Sequence, residues 1–287
     1  MCGKALRNIK LLIEYEGTNY VGWQEQQGLP AIQGTLQDKI KIITGEDVKL
    51  GGASRTDAGV HALGQAANFI SNTRIETFSL QKGLNSLLPE DIVIKNVEDV
   101  ELDFDARRSA KGKTYRYIIL NRSYPSAIHR NTSWFVPYKL DIHLMNEGAE
   151  RLIGEKDFSS FRAAGCSSEH AIREILSFSI WRDAAAACPA CKPVVSKNPP
   201  SRRFASRVVS RHDVFSERME CDNFIIIEVK GTAFLMHMVR IMVGTLVDLG
   251  RGKITLENFK DIIEAKDRTK AGMTAPPHGL FLKEVEY

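Results

Sequence analysis

Asp57 lies in SRTDAGVHA, Ser54 to Ala62, with Arg55 two residues before it, Gly59 two after and His61 close behind. A carboxylate in so polar a stretch can serve as a nucleophile or a general base. The same residues also suit a plain turn, because glycine permits tight bends and aspartate readily hydrogen-bonds its own backbone there. Arg55 and Asp57 are two apart, so an extended loop projects both side chains the same way. A reactive carboxylate needs a charged partner, and the second half supplies Arg240 within FLMHMVRIMVG. An arginine among Met, Val and Ile is costly to bury unless paired; otherwise it snorkels to the helix rim. If Arg240 faces inward, Asp57 is the evident carboxylate for it. The pair would keep Asp57 charged in a cleft, and a guanidinium would fix its orientation.

The elements that must hold these residues read as a mixture of strands and helices. NIKLLIEYEGT alternates Ile9, Leu11, Ile13 and Tyr15 and predicts a strand ending at Gly17. Thr35-x-x-Asp38 resembles a capping box opening a helix with Leu36, Ile40 and Ile43, stopped by Gly45. VKLGGAS and QAANFIS predict short strands on either side of the Asp57 loop. A helix with Leu80, Leu84, Leu87 and Leu88 ends at Pro89, and IVIKNVEDV and KTYRYIIL are further strands. In the second half a helix runs from Asp141 to Leu152, with IREILSFSIWR and NFIIIEVKGT as strands. AFLMHMVRIMVGTLVDLG and LENFKDIIEAK then read as helices before a last strand, GLFLKEVEY. Without regular βα alternation, this order favours α+β with antiparallel sheets over a doubly wound parallel sheet. IEYEGT (Ile13 to Thr18) is echoed by IEVKGT (Ile227 to Thr232), which fits two similar halves joined side by side around a cleft.

The segment from Asp183 to Glu217 stands apart, with AAAA, four prolines and six Lys/Arg against three acidic residues. It reads as a basic hairpin insertion. Cys188 and Cys191 form CPAC, but zinc needs two further ligands. His212, Cys221 and Cys166 are available, none in a recognisable second knuckle, so no metal is expected.

Length and composition set wider bounds. A chain of 287 residues can form one large or two ordinary domains with a real core. Its 43% hydrophobic and 26% charged content is that of a soluble globular protein. No apolar run approaches the ~20 residues of a membrane-spanning helix, and MCGKALRNIK shows no signal peptide. Five cysteines without a framework point to a reducing cytoplasm. Net charge is only +4, but RRSAKGKTYR (Arg107 to Arg116) holds five basic residues and no acidic one. Running into Tyr115 and Tyr117, it has the make-up of a phosphate-tracking, base-stacking surface.

SRTDAGVHA, KTYRYIIL, FSSFR, GTAFLMHMVRIMVGTL and GLFL, in this order, resemble the tRNA pseudouridine synthase A family. The resemblance runs from LLIEYEGTNYVGWQ to the C-terminal strand, leaving out the insertion. Two positions depart from the family pattern: Ser54, where bacterial members usually have Gly, and Glu25, near a position often basic.

The resemblance implies the pseudouridine synthase fold, with residues 1–105 as an N-terminal half carrying Asp57 and residues 106–287 as a C-terminal half. It implies that uridine becomes pseudouridine in RNA without cofactor or metal: the C1′–N1 bond breaks, the uracil turns, and a C1′–C5 bond forms. Asp57 is then the essential carboxylate, by attack on sugar or base or by removing the C2′ proton. Tyr115 matches the tyrosine that stacks on the flipped uracil, Arg240 the carboxylate's partner, and Arg55 the residue that holds the target out of the stack. Leu280 and Leu282 supply apolar walls, and His61 orients the loop or joins the chemistry. The implied substrate is the tRNA anticodon arm at uridines 38, 39 and 40, bound by a homodimer without membrane attachment. The rival readings are a synthase for another RNA, a non-catalytic RNA-binding protein on the same fold, and a hydrolase with a nucleophilic aspartate.

Overall fold

The computed structural model describes residues 6–183 and 224–287. All but the first residue of the expected insertion, with Cys188 and Cys191, therefore lies outside the described residues. In chain order the N-terminal part holds strand β1 (Arg7–Tyr15), helix α1 (Ile32–Thr44), β2 (Gly51–Gly52), β3 (His61–Ser71), helix α2 (Thr77–Leu87) and β4 (Ile92–Val100). Then follow β5 (Gly112–Leu120), β6 (Trp134–Phe135), helix α3 (Ile142–Glu150), β7 (Gly154–Asp157), β8 (Ile172–Asp183) and β9 (Phe224–Gly231). Helices α4 (Met238–Gly250) and α5 (Leu256–Ala265) and strand β10 (Leu280–Glu286) complete the fold. No described helix is long and apolar enough to cross a membrane.

The expected α+β class holds, and the two halves share one sheet. Its order is β4-β1-β3-β10-β5-β9-β8-β7, with β2 on β3 and β6 on β5. The echoed hexapeptides mark corresponding places: IEYEGT closes β1 and IEVKGT closes β9, each the middle strand of an antiparallel triplet. The last strand seals the junction, running parallel to β3 and antiparallel to β5.

Period-2 patterning decides which face is covered. Ile9, Leu11 and Ile13 of β1, Tyr115, Tyr117 and Ile119 of β5, and Ile225, Ile227 and Val229 of β9 join one core with the helix residues Leu36, Leu80, Leu84, Met242 and Phe259. The alternate residues of the same strands carry charge: Glu228 accepts from Arg116 and Lys283, and Lys10 pairs with Glu98. Helix α4 is buried along nearly its whole length, as its almost uniformly apolar sequence requires.

Three local expectations are corrected. Thr35 lies inside α1, which starts at Ile32 after Ala31, and its hydroxyl donates back to the Ala31 carbonyl instead of capping. The capping box of the described residues is Thr255 with Asn258, at the start of α5. VKLGGAS contributes only Gly51 and Gly52 as strand, and α4 begins at Met238 because His237 adopts a left-handed backbone, φ 59°.

Candidate active site

Asp57 is presented by a tight turn between β2 and β3. The Val60 amide donates to the Asp57 carbonyl at 3.1 Å, and Gly59 takes φ 74°, which an L side chain adopts only with strain. The turn is tied down from the loop after β1. Trp23 N–H donates to the Thr56 carbonyl at 3.1 Å, Gly59 N–H to the Tyr20 carbonyl at 3.3 Å, and Gly22 forms a backbone bridge with Asp57. Gly22 leaves no room for a side chain: a Cβ there would lie 2.4 Å from the Thr56 carbonyl oxygen.

Arg240 faces inward. Its Nη1 donates to Asp57 Oδ2 at 2.9 Å and its Nε to the Ala275 carbonyl at 2.8 Å, while Ala275 N–H returns a bond to the Arg240 carbonyl. The Arg240 side chain is 12% exposed and that of Asp57 24%, so the ion pair stands at the edge of solvent. His237 brings Nε2 to 3.4 Å from the same Oδ2.

Tyr115 lies in the sheet floor beside the turn, its hydroxyl 2.7 Å from the Ser54 hydroxyl, its ring edge-on to Phe234 at 5.1 Å. Burial pushes its phenol up to about 12; the Ser54 hydrogen bond opposes that rise and the charge of Asp57 adds to it. At neutral pH it is therefore a neutral phenol. Ser54 is itself fixed by Gln65, which accepts from its amide and donates to its carbonyl. A departure from the family pattern thus has a partner in the site.

His61 is not available for proton transfer. Its Nδ1 accepts from the Gly17 amide at 3.0 Å, so Nε2 carries the proton and faces the carbonyls of Asn131 at 2.7 Å and His278 at 3.1 Å. The ring is 1% exposed, and burial lowers its pKa. It clamps the base of the loop to two other segments.

Leu282 is fully buried, in register with Tyr115 on one side and Ala62 on the other; Leu280 aligns with Tyr117. Arg55 is exposed, beside the turn. The basic strand is less open than its sequence suggests. Arg116 is bound by Glu228, Lys113 donates to the Ala53 carbonyl at 2.6 Å, and Tyr117 is fully buried and donates to the Pro276 carbonyl. Arg107, Arg108 and Lys111 stay exposed.

Two contributors escape the sequence reading. One is His237, which the helical pattern of FLMHMVR absorbs. The other is residues 275–279, where the carbonyls of Ala275, Pro276 and His278 take bonds from Arg240, Tyr117 and His61. The APPHG composition, hostile to helix and strand interiors, was the available signal. Among the described residues no three His, Cys, Asp or Glu side chains gather as a metal site.

This arrangement sets a charge-paired carboxylate beside a buried neutral phenol at the junction of two sheet halves. Comparison with known proteins agrees in kind. A family model described as tRNA pseudouridine synthase matches residues 11–107 and 149–287. The chain is 43% identical over 282 residues to tRNA pseudouridine synthase A of Acetivibrio thermocellus, covering 98% of this chain and all of the relative. It is 44% identical, with the same coverage, to the protein of that name from Thermoanaerobacter sp. strain X514. For the Myxococcus xanthus protein of that name the identity is 39%, over 97% of this chain and 91% of the relative. The chain belongs to the tRNA pseudouridine synthase family.

Proposed function

We propose that this protein isomerises uridine to pseudouridine in tRNA, with Asp57 as the essential carboxylate. The observation that carries the reading is the 2.9 Å contact between Arg240 and Asp57, which joins residues 183 apart in sequence at the open edge of the sheet junction. The guanidinium matches the carboxylate's charge and holds it still, as either attack on the nucleotide or removal of its C2′ proton requires.

Neither C1′ nor C5 of uridine is accessible inside a helix, so the target nucleotide must flip out, at a cost of a few kcal/mol. Arg55, exposed beside the turn, then fills the vacated stack. The flipped uracil lies on Tyr115, with Leu282 beside it on the neighbouring strand. Breaking C1′–N1 frees the uracil to turn; forming C1′–C5 expels the C5 hydrogen and restores an aromatic ring. Tyr115, neutral and bonded to Ser54, helps relay that proton. No cofactor enters this sequence of steps.

The substrate is the anticodon stem-loop at uridines 38, 39 and 40, bound by a homodimer in the cytoplasm. Recognition through phosphates and shape suits a set of neighbouring targets. The test is to incubate the protein with transcribed tRNA and map pseudouridine by carbodiimide labelling and primer extension. Stops confined to positions 38–40 support the assignment. Stops elsewhere in tRNA, or only in another RNA, overturn the target, and no stops at all overturn the activity.

A further inference from the structure

His237 is the remaining side chain on the Asp57 carboxylate. Its Nε2 stands 3.4 Å from Oδ2, the oxygen that Arg240 already holds at 2.9 Å. No hydrogen bond reaches Oδ1 among the described residues. The Arg240 guanidinium and the His237 imidazole thus converge on one oxygen.

The backbone at His237 bears on the same point. With φ 59° and ψ 4°, it is left-handed at the N-cap of α4, where caps are ordinarily extended, and its side chain caps nothing. The only other described non-glycine residue with positive φ is Lys266, at the C-cap of α5, where that conformation is commonplace. Glycine would adopt the His237 backbone without strain. Strained residues of this kind gather at functional sites, held there by their surroundings. The neighbouring backbone is fixed: Ala163 N–H donates to the Met236 carbonyl and Ile241 N–H to the His237 carbonyl. The imidazole is one-third exposed, so core packing does not account for it.

We infer that His237 is a positioning residue for Asp57: together with Arg240 it captures Oδ2 and so makes Oδ1 the oxygen that acts on the target nucleotide. The inference rests on Asp57 being the essential carboxylate. A histidine Nε2–H is mimicked by the amide of glutamine, and glycine removes both the side chain and the strain, so three variants separate the roles.

The experiment measures kcat and KM for release of tritium from tRNA labelled at uracil C5, with the thermal midpoint of each variant. H237G should melt at or above the wild-type temperature, yet lose roughly 10- to 100-fold in kcat at little changed KM, the scale expected for a displaced catalytic group. H237Q should recover at least tenfold of that loss. Wild-type kcat in H237G would overturn the inference. So would a lowered midpoint that tracks the activity loss, which marks a structural role, or an H237Q no better than H237G. Asp57→Asn, run alongside, keeps the two readings apart: an active Asp57→Asn refutes the catalytic reading itself, whereas an inactive Asp57→Asn with fully active H237G refutes only the role of His237.

Discussion

Arg240 holds Asp57 with one nitrogen and the Ala275 carbonyl with another, so its planar fork and not merely its charge sets the carboxylate's position. Lysine offers a single point charge and cannot make both contacts. Arg240→Lys should therefore keep the fold and the ion pair's sign but lower kcat by about 100-fold, the order expected from a carboxylate displaced by ~1 Å. Single-turnover rates on C5-labelled tRNA check this, and a near-wild-type rate would show that charge alone suffices. At this scale the sequence was informative where chemistry is dense. An arginine inside FLMHMVRIMVG either snorkels to the helix rim or needs a carboxylate, and SRTDAGVHA offers one beside a turn. His237 stayed hidden because the pattern FLMHMVR reads as continuous helix. What breaks it is a single left-handed residue, and φ leaves no trace in composition.

At the scale of elements, the turn bearing Asp57 is held by neighbours that are weak secondary structure themselves: the loop after β1, residues 129–133, and residues 275–279. His61 ties all three, accepting from Gly17 and facing the carbonyls of Asn131 and His278. Because burial lowers its folded pKa below the unfolded value, the unfolded chain takes up the proton first as pH falls. The stability that neutral His61 supplies is thus full above about pH 6.5 and drains away below it. His278 and His129 are shifted in the same direction by burial, so the wild-type dependence is a sum. The urea midpoint should fall from pH 7 to pH 5 more steeply in wild type than in His61→Gln; equal slopes would contradict the assignment. These ties were not readable beforehand. Strands and helices announce themselves by period, but a carbonyl in APPHG accepting from Arg240 depends on where the chain returns. The Thr35 expectation failed for a related reason. A Thr-x-x-Asp spacing is a local cue, and the backbone bonds of Ile32 and Gln33 to the Gly22–Trp23 segment start the helix four residues earlier, with Ala31 and not Thr35 at its N-cap.

For the whole molecule, β10 makes one sheet of two halves, lying parallel to β3 and antiparallel to β5. The α+β class and the echoed hexapeptides could be read from strand order, yet the parallel pairing could not, since nothing local in GLFLKEVEY names its neighbours. The electrostatics belong to this scale as well. Of the five basic residues from Arg107 to Arg116, Arg116 is spent on Glu228 and Lys113 on a carbonyl, leaving Arg107, Arg108 and Lys111 open. If those three meet phosphates, replacing Arg107 and Arg108 by glutamine should weaken tRNA binding and flatten the slope of log K against log salt by about one per lost contact. Arg116→Gln should leave the slope unchanged. The reverse pattern would place the RNA on the other face of the sheet.

The most direct measurement is tritium release from tRNA labelled at uracil C5, comparing wild type with Asp57→Asn under conditions where both bind the RNA. Joining C5 to C1′ must expel that hydrogen, whereas binding or strand cleavage need not. Release by wild type and none by Asp57→Asn at equal affinity is the predicted result. Release by the asparagine variant at a comparable rate would contradict the account, because the carboxylate on which Arg240 and His237 converge would then not be doing the chemistry.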